Sequence, residues 1–227
     1  MTHPLDRPVR SALTSGWQRF AEGDDAALRL RPEYGPFAAS ADASPEGLRA
    51  LGHLRNSTDG LWVVEAVQVD APPGLVVDGR AELCQMTAAA ITPGPAPIGA
   101  MELTEADYPD MLELALMTRP GPFAARTGAL GRFIGIRSDG KLIAMAGERM
   151  RLNGFTEVSG VCTHPDHRGR GHAAGLMRQV MQRMISRDET PFLHSYAWNH
   201  AAIGLYESLG FRRRATVFAT ILRPAAG

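Results

Sequence analysis

The stretch Thr163-His164-Pro165-Asp166-His167-Arg168-Gly169-Arg170-Gly171-His172-Ala173 concentrates more chemistry than any other part of the chain. Gly169 and Gly171 permit unusual backbone angles and leave the amides uncovered by side chains. If a helix starts directly after them, its first N–H groups converge on one point and favour an anion there. Arg168 and Arg170 add positive charge. The chemistry would be the binding of a phosphate or pyrophosphate. A structural turn that merely starts a helix uses the same residues, and Gly-Arg-Gly alone does not separate the two readings. Gly-Lys-Ser/Thr is missing, and so is the third glycine of the dinucleotide fingerprint, so neither of those phosphate loops applies.

Other residues are candidates for proton transfer. Glu157 and Glu148 fall on neighbouring expected strands, and each is a candidate general base. Solvated edge carboxylates are the plainer reading of both. Strand alternation puts Glu157 on one face with Ser159, Val161 and Thr163. Asn199 suits a helix cap, and Tyr206 follows two helical turns later on the same face. His194 alternates with Tyr196, as an acceptor-pocket residue or a structural one. Cys84 and Cys162 are far apart in apolar runs, which fits two reduced buried thiols. No histidine can be placed beside Cys162 to make it a nucleophile. His164, His167 and His172 cluster, but no cysteine or acidic pattern completes a metal site, so no metal is expected.

Two segments together resemble the Gcn5-related N-acetyltransferases. Arg168-Gly169-Arg170-Gly171-His172-Ala173 matches that family's pyrophosphate loop, Gln/Arg-x-x-Gly-x-Gly/Ala, through Arg168, Gly171 and Ala173. Pro165 stands where the family often has proline, whereas Thr163 takes a position that is commonly valine. Asn199 to Phe211 is similar to the C-terminal signature, at the right spacing. The resemblance covers about residues 100–222 and is closest to the FR47-like branch. It implies an α/β fold of the acyl-CoA N-acyltransferase type: a mixed, mostly antiparallel, splayed sheet flanked by helices, with acetyl-CoA in the opening. It further implies that Val161, Cys162 and Thr163 meet the pantetheine arm, that residues 168–173 hold the pyrophosphate, that Asn199 lies near the cofactor and that Tyr206 protonates the departing thiolate. The implied activity is transfer of acetyl to a primary amine of a small molecule, an amino acid or a peptide N-terminus. A non-catalytic acyl-CoA-binding module and a transferase for a longer acyl-CoA are the alternatives.

These residues need elements to hold them. Residues 131–137, 141–152 and 155–163 read as successive strands, joined through Ser138-Asp139-Gly140 and Asn153-Gly154. A helix is predicted over about 170–187, a strand over 192–198, a helix over 199–209 closed by Gly210, and a strand over 213–222. Thr104 to Asp107 should cap a helix that buries Met111, Leu112, Ala115 and Leu116. Upstream, 61–69 and 82–88 read as strands, Ser44-Pro45 starts a short helix, and Ser11 to Phe20 suggests an amphipathic one. The Pro/Gly run 92–97 is the candidate boundary between an N-terminal lobe, 1–95, and a catalytic domain, 96–227. The lobe is expected either as a degenerate copy of the fold or as a lid.

Composition narrows the classes. Basic and acidic residues number 24 each, so the net charge is zero and no basic stripe points to nucleic acid. Arg212, Arg213 and Arg214 are expected as a solvated run. No apolar run approaches the roughly 20 residues of a membrane span, and the first residues lack a signal peptide's apolar core. A cytoplasmic location is the default expectation. Exposed strand edges make a homodimer a further expectation.

Overall fold

A computed structural model describes residues 3–54 and 60–225. The elements are α1 (Pro8–Leu13), β1 (Ala21–Gly23), β2 (Ala27–Leu30), β3 (Ala38–Ser40), α2 (Pro45–His53), β4 (Leu61–Glu65), β5 (Leu75–Thr87), β6 (Ala100–Leu103), α3 (Tyr108–Thr118), β7 (Phe133–Ser138), β8 (Lys141–Leu152), β9 (Phe155–Thr163), α4 (His172–Ile185), β10 (Thr190–Tyr196), α5 (His200–Ser208) and β11 (Arg212–Pro224). Local chemistry sets several boundaries. Asp139 and Gly140 adopt φ 50° and 79°, which turns β7 back into β8. The Ser44 hydroxyl accepts the Gly47 amide at 3.0 Å and Pro45 opens α2. Thr104 and Asp107 cap each other reciprocally ahead of α3.

Eight strands form one sheet in the order β4-β11-β5-β10-β9-β8-β7-β6, and β1, β2 and β3 form a small second sheet. Neighbours in the large sheet are antiparallel except β9 and β10. The strand β5 lies between β10 and β11, so hydrogen bonding crosses from the first 95 residues into the centre of the sheet. β9 and β10 pair only through Thr190–Phe155, Pro191–Thr156 and Phe192–Glu157. Beyond those pairs they part, and the sheet splays.

Period-2 alternation then fixes which helix covers which face. Ala144, Ala146, Val158 and Leu193 pack with Leu176, Val180 and Met184 of α4 and with Ile203 of α5. Their strand neighbours Met145 and Cys162 pack on the other face, against Met111, Leu114 and Ala115 of α3. Further along that face, Phe192, Val217 and Ala219 meet Val9 and Leu13 of α1 and Trp17. Met111 and Ala115 are buried as expected and Leu112 is half-buried, but Leu116 is 65% exposed and Leu114 is buried in its place, so α3 is rotated slightly from the expected face. Among the described residues no helix is long and apolar enough to cross a membrane.

Two upstream expectations change. The helix expected over Ser11 to Phe20 stops at Leu13. A Cβ on Gly16 would sit 2.4 Å from the Arg151 carbonyl oxygen, so the chain leaves the helix to pass close to β8. Trp17 then packs as a turn residue and donates its indole N–H to the Arg149 carbonyl at 2.8 Å. The three strands within residues 21–40 were not expected at all.

Candidate active site

The opening between β9 and β10 leads into a cleft of about 850 Å³ that runs from the start of α4 to the N-terminal lobe. Three regions of wall differ in character. At one end stand Arg168 to Ala174. In the middle are Val161, Cys162 and Thr163 of β9, faced by Asn199 and Tyr206 on the α5 side and by Thr118 to Pro122 after α3. At the other end are Phe37, Trp62, Val64 and Leu83 with Arg149, His194 and Tyr196.

The α4 end has the geometry of an anion cradle. Gly169 and Gly171 take φ 75° and 77°, and a Cβ on either would meet nothing within 4 Å. Gly171 caps α4 without any side-chain hydrogen bond. Among the described residues, no amide from Gly169 to Ala174 donates to a protein acceptor. That is the arrangement in which a helix start binds an anion. Arg168 and Arg170 hang from the loop on single bonds to the carbonyls of Thr163 and Asp166, both 3.3 Å. The residues fit a pyrophosphate.

In the middle, Gly160 adopts φ 62° and the β8–β9 register gains one residue on β9 between Ser159 and Cys162. This bulge breaks the alternation. Val161 consequently packs with the α4-side cluster and does not share the Glu157 face as simple alternation required. Burial pushes the Cys162 thiol up to about 11, so it stays protonated. Burial also raises the Tyr206 phenol. Among the described residues the Tyr206 hydroxyl has no hydrogen-bond partner, and its ring stands edge-on to Phe211 at 6.2 Å. Asn199 caps α5 through the Ala202 amide at 3.2 Å.

At the root of the splay lies a buried polar chain. Glu157 is 1% exposed and takes the Arg149 guanidinium in a two-pronged pair, 2.9 and 3.2 Å. Its Oε1 also receives the His194 Nδ1–H at 2.9 Å. Burial alone would raise this carboxyl, but Arg149 and His194 outweigh it and hold Glu157 at about 2. His194 Nε2 faces the Gln85 amide nitrogen at 3.0 Å. That nitrogen also donates to the Leu5 carbonyl, while the Gln85 oxygen accepts from Arg214 at 2.7 Å. Gln85 can therefore only donate to His194, which assigns the ring the tautomer with its proton on Nδ1. Arg214 in turn meets Asp6 at 2.5 Å. Arg214 thus leaves the solvated run expected for it, whereas Arg212 and Arg213 remain exposed.

Of the sequence candidates, the structure brings Val161, Cys162, Thr163, Arg168 to Ala173, Asn199 and Tyr206 to one cleft. Glu157 sits directly behind two cleft residues, Arg149 and His194. Glu148 is elsewhere: it is buried beside Arg187 at 2.9 Å at the end of α4, and burial raises its carboxyl. Arg149, Gln85, Phe37 and Trp62 went unremarked in the sequence. Arg149 carried no distinguishing signal, because Glu148 and Arg151 beside it on β8 are charged as well.

Residues 133–219 match the family model described as FR47-like protein. A solved GNAT-family protein from Novosphingobium aromaticivorans is 47% identical, with 99% of this chain and all of that one covered, at a TM-score of 0.92. A GCN5-related N-acetyltransferase from Kribbella flavida shares the fold at 20% identity and a TM-score of 0.66, over 97% of this chain and 96% of its own. No curated protein sequence matches the chain. Identity of 47% over the full length of both chains shows that this chain belongs to the GNAT acetyltransferase family.

Proposed function

We propose that this protein is an N-acetyltransferase that moves the acetyl group of acetyl-CoA to a primary amine by direct attack within a ternary complex. The observation that carries this reading is the continuity of one cleft. It joins the uncapped start of α4 to the parted strands β9 and β10, and both to Tyr206.

Each wall has a task in this reading. The amides of residues 169–174, with Arg168 and Arg170, hold the pyrophosphate. Backbone groups of Val161 to Thr163 align the pantetheine arm and thioester. The amine nitrogen bonds to the thioester carbon, the C–S bond breaks, and the thiolate takes the Tyr206 proton. The nitrogen's surplus proton leaves to water in the cleft, and water returns a proton to the Tyr206 phenolate, which restores the enzyme. Cys162 is a protonated thiol and forms no acyl-enzyme. Glu157 is ionised and enclosed by Arg149 and His194, so it fixes the His194 ring instead of touching the amine. The acceptor therefore enters as its free base. Glu148, on the α4 side, takes no part. Residues 1–95 act as the lobe that shapes the acceptor end, through Phe37, Trp62 and Val64. Residues 96–227 carry the donor site.

The test is release of CoA from acetyl-CoA by the purified full chain against a panel of amines. Amine-dependent release is expected. Binding of acetyl-CoA without release across the panel would favour a non-catalytic binding module, and absence of binding would remove both readings. Two variants sharpen it. Ala173→Glu places a carboxylate where the anion should sit and is expected to raise the acetyl-CoA Kd roughly 10- to 100-fold by calorimetry. The melting temperature should not fall, because an acidic side chain in a helix's first turn is favourable. Tyr206→Phe is expected to lower kcat about 10- to 100-fold, with the KM for acetyl-CoA within about twofold. That lies at the lower end for general acids because a thiol near 8.5 leaves fairly well unaided.

A further inference from the structure

We infer that the acceptor is a free α-amino acid with a bulky apolar side chain, whose carboxylate is held by Arg119. The inference rests on the acetyltransferase reading above and concerns the same cleft.

Charge is the first argument. Among the described residues that line the cleft there is no aspartate or glutamate. The carboxylate just behind the wall, Glu157, has both oxygens committed to Arg149 and His194 and is 1% exposed. An acceptor with a second positive charge, such as a polyamine or a lysine-rich peptide, would find nothing to neutralise it in a site walled by arginines. The cleft selects against polycations and accepts a substrate that carries a negative group.

The arginines are then separable by their surroundings. Arg168 and Arg170 belong to the anion loop at the α4 end. Arg149 is neutralised by Glu157, and its remaining nitrogen donates to the Pro122 carbonyl at 3.1 Å. Arg119 alone among the arginines of the cleft has a side chain with no ion pair or hydrogen bond among the described residues. Its backbone is held left-handed, φ 51° and ψ 58°, at the end of α3, with its amide bonded to the Ala115 carbonyl at 2.7 Å. It stands one residue after Thr118, whose hydroxyl lies beside the Cys162 thiol, and three residues before Pro122, which is tied to Arg149. Arg119 thus lies on the short segment that links the thioester level to the acceptor end.

The third argument is the apolar panel. Phe37, Trp62, Val64, Leu83, Met150 and Ala219 come together at the acceptor end from both lobes. The Arg149 guanidinium carbon stands over the Phe37 ring, 4.8 Å from its centroid, a cation–π contact that holds that ring. Phe37, Val64, Leu83, Met150 and Ala219 are themselves buried, so the apolar surface still open to the cleft is chiefly that of the half-buried Trp62 and Tyr196. A glycine would leave those two rings wet, whereas a leucine, methionine or phenylalanine side chain would bury against them, a gain of the kind that sets kcat/KM between such substrates. A carboxylate on Arg119 and a side chain on the panel leave the α-amine between them, directed at the thioester beside Cys162. The N–C bond forms, the C–S bond breaks, and the products are the N-acetyl amino acid and CoA thiol.

The test compares kcat/KM of the full chain for leucine, methionine and phenylalanine with that for leucinamide, glycine and spermidine, each expressed per concentration of free base. The apolar amino acids are expected to exceed leucinamide roughly 10- to 100-fold, the range for one charged hydrogen-bonded contact. Arg119→Gln should raise the KM for leucine by that factor and leave leucinamide turnover and the KM for acetyl-CoA unchanged. Preference for leucinamide or spermidine would overturn the assignment, as would an Arg119→Gln effect on acetyl-CoA in place of leucine. Acetyl-CoA binding by calorimetry separates the two levels. Binding with no amino-acid acetylation sinks the acceptor assignment alone, and no binding sinks the acetyltransferase reading beneath it.

Discussion

Residues 96–227 expressed alone are expected to yield no cooperatively folded protein. The reason is the position of β5. In the full chain it pairs along nearly its whole length with β11, from Arg212–Thr87 to Pro224–Leu75, and on its other edge with β10, from Phe192–Thr87 to Tyr196–Leu83. Removing it would leave two unpaired edges facing each other across the width of an absent strand, and unpaired buried amides cost heavily. It would also strip Leu83 from one face and Met86 from the other. Losing α1 uncovers Phe192, Val217 and Ala219 as well. The fragment should aggregate or bind a hydrophobic dye, and show no sigmoidal melt by circular dichroism. Co-expression with residues 1–95 should restore a melt and a 1:1 complex, because the missing strand is then supplied in trans. A soluble, cooperatively melting 96–227 fragment would show that the sheet closes without β5.

That strand also marks where sequence reading stopped. Bounds fixed by local turn chemistry were legible: Lys141–Leu152 and Phe155–Thr163 were read to the residue, because Asp139-Gly140 and Asn153-Gly154 punctuate them. The start of α4 was legible because Gly171 and the following small residues announce an uncapped helix. What needed distant partners was not. No local pattern says that β5 threads between β10 and β11. Arg214 looked solvated within an arginine run, yet its partner Asp6 lies 208 positions away. β1, β2 and β3 have three or four residues each, too short for alternation to show. Gly160 did carry a signal, since an isolated glycine within a strand suggests a bulge, and the bulge is what parts Val161 from the Glu157 face. The donor end was therefore readable from contiguous residues. At the acceptor end only His194 was readable, from its alternation with Tyr196; Phe37, Trp62, Leu83 and Arg149, which come from four separate segments, were not.

Glu157→Gln is expected to destabilise the protein by about 3–5 kcal/mol at neutral pH. The variant is nearly isosteric, so no cavity opens, and the loss is electrostatic. Arg149 is 11% exposed in its side chain, and without Glu157 its charge would be left buried with only the Pro122 carbonyl and the Phe37 ring. Removing one member of a buried pair costs more than the pair itself contributes, because the survivor remains desolvated. The His194 Nδ1–H would also compete with Arg149 for a single amide oxygen. The pH dependence gives an independent check. Glu157 is depressed from 4.5 to about 2, so its contribution is fully present above about 4.5 and is lost as pH falls toward 2. Glu65 and Glu148 act in the opposite sense, since burial raises both and protonating them relieves the folded state as pH falls. Their titration is common to both proteins and cancels in the difference. Urea unfolding of wild type and variant side by side should thus show a gap that is flat from pH 8 to about 4.5 and narrows below it. A gap that persists unchanged at pH 2.5 would mean that Glu157 holds Arg149 and His194 by shape and not by charge, and the ion pair at the root of the splay would then be incidental to the fold.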